Sequence, residues 1–343
     1  MRTIAVDAMG GDHGVSTIVE GCAHASMSLN SQLILVGNES QIKRVLSRHP
    51  HRTERIEIVH CEQHIPMDAK PRRIFRDYPE ASLPKAAALV GRDRGADALI
   101  SAGNTGALVL SCAKFFKRLE GVRRTALAAV IPTQRTHGSK SDPFSLLLDV
   151  GATIDVSSED LMNFASMGAA YASIISQNIR PSVALLSNGS EPNKGRREII
   201  EAHKALSENK EINFVGNVEG VDLPRGRADV VVCDGFTGNV VLKMLEGVSE
   251  TAVDLAKYAY RRKLTWRIAF LLLSSGLTQI KDVTDWQQYG GAPILGFDRL
   301  CIKAHGRSSP RAIRNAIRVA EKCAEQQLAE KIAKFGLQPI KDC

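Results

Sequence analysis

The residues best suited to chemistry sit in five short turns rich in Gly, Asn, Thr, Ser and Asp. These are Met9–Gly14, Ser101–Gly106, Asp149–Asp155, Asn188–Gly195 and Asp234–Asn239, and each follows an apolar, β-branched run. In Ser101-Ala102-Gly103-Asn104-Thr105-Gly106 the two glycines let the backbone approach a ligand closely. Thr105 can cap the helix that follows, whose exposed N–H groups would hold an anion. The same residues also suit a tight strand-to-helix turn that holds nothing. Asp234-Gly235-Phe236-Thr237-Gly238-Asn239 repeats the arrangement, with Lys243 one turn further into the next helix. The stretch from Asn188 to Gly195 offers Glu191, Lys194 and the amides of Asn188 and Asn193. A carboxylate and an ammonium on one loop suit anion binding or proton handling, or equally a solvated polar loop.

Other groups exclude some chemistries. Met9-Gly10-Gly11-Asp12 stands where dinucleotide-binding folds carry Gly-x-Gly-x-x-Gly, but the spacing differs. A Walker-type phosphate loop is also missing, so a nucleotide cofactor is not expected and a bare phosphate fits better. His60-Cys61-Glu62-Gln63-His64 has metal-ligand residue types, yet no second cluster at ligand spacing completes it, and no metal is expected. His305, before Gly306, fits a catalytic or a structural role. No Gly-x-Ser-x-Gly elbow occurs and no cysteine has a catalytic-family surround, which argues against a covalent acyl-enzyme.

These turns need a sheet to hold them. Strands are predicted at Thr3–Asp7, Gln32–Val36, Arg55–His60, Ala96–Ala102, Ala126–Ile131, Ser145–Val150, Val183–Ser187 and Asp229–Cys233, with Leu300–Ala304 strand-like. Helices are predicted at Ser16–Met27, Ser40–Arg48, Leu83–Arg94, Thr105–Leu119, Glu159–Ser176, Arg196–Leu206 and Arg311–Lys334. Short strands alternating with helices indicate an α/β fold with a mostly parallel sheet, which places ligands at the carboxyl ends of its strands. The chain has 343 residues, 44% of them hydrophobic and 24% charged, enough for one large domain or two ordinary ones. Its seven scattered cysteines, none in a CxxC pair, suit a reduced cytosolic setting. The net charge of +8 favours an anionic partner, but aromatics are only 5% and no nucleic-acid-binding motif is present. Arg261, Arg262, Lys263, Trp266 and Arg267 precede Ile268–Leu273, an apolar run too short to span a bilayer. It can lie in a membrane interface or pack as a dimer or core helix.

Eight stretches together resemble the bacterial phosphate acyltransferases, the acyl-ACP:phosphate acyltransferase (PlsX) family. They are IAVDAMGGD, ADALISAGNTGAL, LLLDVGA, LLSNGSEPNKG, GNVEG, DVVVCDGFTGNVVLK, GGAPILG and IKAHGRSSPRAIRNAI, in family order from Ile4 to Ile317. The chain departs from the family pattern at His13–Val15, at Thr153 where an asparagine is usual, at Asp77–Leu83 and in a polar extension at Gln134–Phe144.

The resemblance implies a three-layer fold like that of phosphotransacetylases and isocitrate-dehydrogenase-type enzymes. It implies a single domain over 1–343, with a helical dimerisation or membrane element at about 240–285. It further implies a homodimer that takes acyl carrier protein and phosphate, needs no cofactor, metal or nucleic acid, and hands acyl phosphate to a membrane glycerol-3-phosphate acyltransferase. The location implied is cytoplasmic, with peripheral contact to anionic membrane through about Leu264–Leu277. With the turns, it assigns catalysis to Asn188, Lys194, Asp234, Asn239 and His305. Substrate binding falls to Gly10, Gly11, Asp12, Ser101, Gly103, Asn104, Thr105, Gly106, Glu191, Gly235, Thr237, Gly238 and Lys243. A CoA-dependent phosphotransacylase on the same fold is the alternative.

Overall fold

The computed structural model describes residues 1–91, 95–134, 144–176, 178–276 and 290–334. Eleven strands form one sheet: β1 (Thr3–Asp7), β2 (Gln32–Gly37), β3 (Ile56–His60), β4 (Ala98–Ser101), β5 (Ala126–Pro132), β6 (Phe144–Leu148), β7 (Ser182–Leu186), β8 (Asn213–Val218), β9 (Val230–Val232), β10 (Ala292–Leu295) and β11 (Leu300–Lys303). Their spatial order is β3-β2-β1-β4-β11-β10-β5-β6-β9-β7-β8.

Strand residues alternate between two cores, as a sheet covered on both faces requires. Ile4 and Val6 pack on one side with α1 (Gly14–Ser28), α2 (Glu39–Leu46), α6 (Ser158–Ile175), α7 (Arg197–Glu208), α10 (Pro310–Glu325) and α11 (Leu328–Lys334). Ala5 and Leu99 pack on the other with α3 (Ile74–Asp77), α4 (Ser82–Gly91), α5 (Thr105–Phe115) and the inner face of α8 (Gly235–Arg262). Helix α9 (Leu264–Leu272) follows α8 and folds back on it, with Tyr260 and Phe270 edge to face at 6.1 Å.

Most expected elements are present, and the differences are physical. The sheet is mixed: β10 runs antiparallel to β11 and β5, and β5 antiparallel to β6, while the other neighbours are parallel. Two strands went unpredicted. In β8, Gly216 at φ +95° and flanking asparagines hide the β pattern, and its register against β7 shifts between Val183 and Leu185. In β10, Pro293 weakens the strand reading, though it pairs opposite Ile302. The helix expected over Arg311–Lys334 breaks at Gln326–Gln327, where Gln327 takes φ +51°. Of the helical element placed at about 240–285, residues 277–285, Leu277 included, lie outside the described residues, as do 135–143 of the polar extension.

The mixed sheet has one consequence for function. Because β5 and β6 are antiparallel, β6, β9, β7 and β8 point opposite to β1, β4 and β11. The five turns therefore do not share one carboxyl-end edge, as a parallel sheet would have arranged them.

Candidate active site

One edge gathers the turns after β1, β4 and β11. Asp7 ends β1 fully buried, and its carboxylate accepts hydrogen bonds from Ser82 Oγ and Ser101 Oγ, each at 2.7 Å. Burial pushes the Asp7 carboxyl up, and these hydroxyls with the Met9 N–H oppose the shift. Gly10 lies directly against the β4 turn: a Cβ there would stand 2.7 Å from the Gly103 amide nitrogen and 2.8 Å from Asp7 Oδ2. The Asp12 N–H donates to Gly306 O at 2.8 Å, and the Gly103 N–H to Ser101 Oγ at 3.0 Å. Asn104 caps α5 by accepting from the Ala107 N–H, while its amide donates to Met67 O at 2.7 Å. Thr105 and Gly106 open that helix. An open cavity of about 530 Å3 lies beside Gly11, Asp12, His64 and Met67.

Lys303 ends β11 at this edge with only 9% of its surface exposed. Its ammonium donates to Ala102 O at 3.3 Å and to Ala304 O, tying the β4 and β11 turns together. Burial lowers Lys303 to about 8, while Asp12 and Asp7 act to hold its charge. Burial also lowers the half-buried His305, and the positive charges of Lys243, Lys303 and Arg307 act the same way against Glu246.

The opposite edge gathers the turns after β6, β7 and β9. Asp149 folds its own turn: Oδ1 accepts the N–H groups of Leu127 (2.8 Å), Gly151 (3.0 Å) and Ala152 (3.0 Å), and Oδ2 that of Thr153 (2.6 Å). Burial pushes this carboxyl up, and the four N–H donors oppose it. Thr153 spends its hydroxyl on Thr125 O at 2.9 Å. Asp234 caps α8 through the Thr237 N–H (2.9 Å) and hydroxyl (2.7 Å), and it accepts an ion pair from Arg196 just beyond the Asn188–Gly195 loop. Gly235 and Gly238 face the Asp149 turn, and Asn239 stands against Gly151. Asn188, Glu191 and Lys194 are exposed, with Glu191 O accepting from Asn217 Nδ2 at 2.9 Å.

Helix α8 joins the two groups. At about 42 Å for 28 residues it can reach from one sheet edge to the other. It starts on the Asp149 turn, Lys243 and Glu246 then act electrostatically on His305, and Glu250 pairs with Arg307 at 3.1 Å. The first edge thus holds Gly10, Gly11, Asp12, Ser101, Gly103, Asn104, Thr105, Gly106 and His305, with Lys243 facing it from α8. The second holds Asn188, Glu191, Lys194, Asp234, Gly235, Thr237, Gly238 and Asn239.

A family model described as fatty acid synthesis protein matches residues 2–331. A phosphate acyltransferase of Dictyoglomus turgidum is 40% identical over 99% of this chain and 98% of its own length. Another, of Alkaliphilus oremlandii, is 38% identical over the same shares. The chain belongs to the phosphate acyltransferase family. It is an acyltransferase, and the fold agrees. A phosphotransacetylase from Streptococcus pyogenes superposes with a TM-score of 0.63 at 16% identity, covering 95% of this chain and 94% of that one. A branched-chain phosphotransacylase from Enterococcus faecalis does so at 0.55 and 16%, covering 94% and 99%. The α/β fold is therefore that of the phosphotransacetylases, with a mixed sheet.

Within this acyltransferase, sequence reasoning passed over Asp7 and Lys303 and named Asp149 only as the start of a turn, yet all three organise the turns. Each is a charged residue closing an apolar strand run immediately before a glycine-bearing turn. A charge there has little water, so it must be satisfied by the turn it leads into.

Proposed function

We propose that this phosphate acyltransferase moves a long-chain fatty acyl group from acyl carrier protein to inorganic phosphate. Acyl phosphate and free carrier protein are the products. The observation that carries this reading is the match along 99% of the chain, at 40% identity, to a relative named for phosphate acyl transfer. A phosphate oxygen attacks the thioester carbonyl, the C–S bond of the tetrahedral intermediate breaks, and the carrier thiolate leaves and takes up a proton. Inorganic phosphate is already an anionic nucleophile near neutral pH, so positioning and charge stabilisation matter more than a strong base.

Several features support direct attack. The six described cysteines are buried, and burial pushes the thiols of Cys22, Cys61, Cys112, Cys233 and Cys323 up, away from the nucleophilic thiolate. In this reading Lys194, Asn188 and Asn239 hold the phosphate or the oxyanion beside the first turn of α8. Gly235, Thr237 and Gly238 keep that helix end against the Asp149 turn, Asp234 and Arg196 fix the loop to it, and Glu191 shapes the loop. The Gly10–Asp12 and Ser101–Gly106 turns, with Lys303, Lys243 and His305, form a second, cationic wall for the anionic substrates. His305, its imidazole lowered by burial, is mostly neutral at pH 7 and can pass a proton.

The helical element completes the proposal. Past its first turns α8 exposes Val240, Met244, Val248, Leu255 and Tyr258, and α9 exposes Leu264, Ile268, Leu271 and Leu272. Helices with so much uncovered apolar surface need a partner. A second copy along α8, with the α9 tip on an anionic membrane, meets that need. No described helix is long and apolar enough to cross a membrane. Lying in the interface suits a product with one long acyl chain, which a membrane glycerol-3-phosphate acyltransferase would then take up. The whole chain acts as one unit in this reading.

Comparing donors tests the substrate. Palmitoyl-acyl carrier protein is expected to turn over and palmitoyl-CoA to be a poor donor. Efficient use of the CoA thioester with none of the carrier protein would assign the chain to the CoA-dependent class.

A further inference from the structure

Away from both sheet edges, α1 carries Glu20 and His24 one turn apart, on the same side of the helix as His49 from the connection between α2 and β3. One ligand atom from each lies within 4.8 Å of the others. Glu20 Oε2 is 4.0 Å from His49 Nε2, and the rings of His24 and His49 meet edge to face at 6.1 Å. We propose that Glu20, His24 and His49 form a binding site for a divalent transition metal that clips α1 to the α2–β3 connection.

Geometry and donor chemistry support this together. Ligand atoms about 2.1 Å from one tetrahedral ion stand about 3.4 Å apart, so closing the site takes side-chain shifts of about 1 Å, within reach of rotations about the side-chain bonds of Glu20, His24 and His49. Two imidazoles and one carboxylate suit Zn2+, Co2+ or Ni2+ and not Mg2+ or Ca2+, which take oxygen ligands. Three protein ligands leave positions for water.

The connection carrying His49 is also held in place by bonds independent of these side chains. The Arg52 N–H donates to Ser26 Oγ at 3.1 Å. Arg55 Nη1 donates to Ser26 O at 3.4 Å and to Leu29 O. The His49 N–H returns to Leu46 O at 3.1 Å, and a ring nitrogen of His51 lies 2.9 Å from His49 O. The metal would therefore meet ligands already gathered and would lose little affinity to ordering the loop. Glu20 and His24 stand about 9 and 15 Å along α1 from Gly14, the end nearer the candidate active site. The ion's effect is accordingly on stability and not on turnover.

The full-length chain, stripped with a chelator, would be titrated with Zn2+ by calorimetry and with Co2+ by visible absorption. The expected result is one site per chain, with a rise in melting temperature on saturation. His24→Ala and His49→Ala should each weaken it by about 10–100-fold or more, the loss seen when even an outer partner of a metal ligand is removed. Glu20→Gln should weaken it too, His51→Ala and His60→Ala should not, and acyl transfer should persist in all of them. A wild-type chain without a one-to-one site would overturn the proposal, as would His24→Ala and His49→Ala variants that bind Zn2+ like the wild type.

Discussion

Replacing Gly238 with alanine tests whether the seat of α8 on the Asp149 turn positions the reacting groups. A Cβ at Gly238 would stand 1.8 Å from the backbone oxygen of Asp149, 2.9 Å from its carbonyl carbon and 3.0 Å from Cys233 Sγ. The nearest obstacle is main chain, so no rotamer change clears it. Restoring ordinary contact needs α8 and the turn to part by about 1.6 Å, which carries Asn239 away from Gly151. Overpacking of this kind costs about 1–3 kcal/mol. For a chain of 343 residues at about 2.1 cal/mol/K per residue, 2 kcal/mol lowers the melting temperature by about 3 °C. The effect on catalysis should be larger, because a displacement of about 1 Å in a positioned group costs about 10²-fold in rate. Gly247→Ala is the control. It meets nothing within 4 Å, lies in the same helix and should gain about 0.5–1 kcal/mol from helix propensity. Melting curves and kcat/KM for acyl transfer would be measured for both variants. A folded Gly238→Ala enzyme with wild-type turnover would refute the reasoning, and equal losses in Gly247→Ala would show that α8 is sensitive everywhere.

Lys194→Ala and Asn239→Ala should each cut turnover by about 10²–10³ without changing the melting temperature, as loss of one preorganised donor does; near-normal steady-state rates in both would move the site elsewhere. The buried ammonium of Lys303 predicts a pH dependence. Its folded value of about 8 lies below the ordinary 10.5, so the unfolded chain binds more protons between those values and stability rises with pH across that window. Urea midpoints should show this rise in the wild type and not in Lys303→Met, and a fall there in the wild type would contradict it. Leu271→Glu combined with Leu272→Glu should abolish sedimentation with anionic liposomes while dimerisation and soluble turnover persist; dissociation to monomers would instead make α9 a buried interface.

Local features of the fold were legible, and long-range ones were not. Apolar runs such as Ile4–Asp7 and Leu146–Asp149 announce buried strands, and the glycines after them announce turns. Nothing within a run says which way its strand points relative to the next. The antiparallel pairing of β5 with β6 depends on partners far apart in sequence, and it divides the turns between two edges. The amphipathic start of α8 was readable from Val241, Leu242 and Leu245, which pack on the sheet. Its continuation to Arg262 was expected from the family resemblance alone, because beyond Glu246 the helix makes little contact with the core and its apolar residues face outward. At the site, the residues proposed to bind substrate sit in recognisable motifs. Asp149 and Lys303 act on the backbone, and Asp7 on the Ser82 and Ser101 hydroxyls and the Met9 N–H, and such residues need only a charge in the right place.

Trapping the product tests the central claim most directly. Purified chain would be incubated with palmitoyl-acyl carrier protein and inorganic phosphate, and the mixture treated with neutral hydroxylamine, which converts acyl phosphate to hydroxamate. The account predicts hydroxamate and free carrier protein in equal amounts, both dependent on phosphate. Carrier protein released equally well without phosphate, or no hydroxamate above a no-enzyme control, would contradict it.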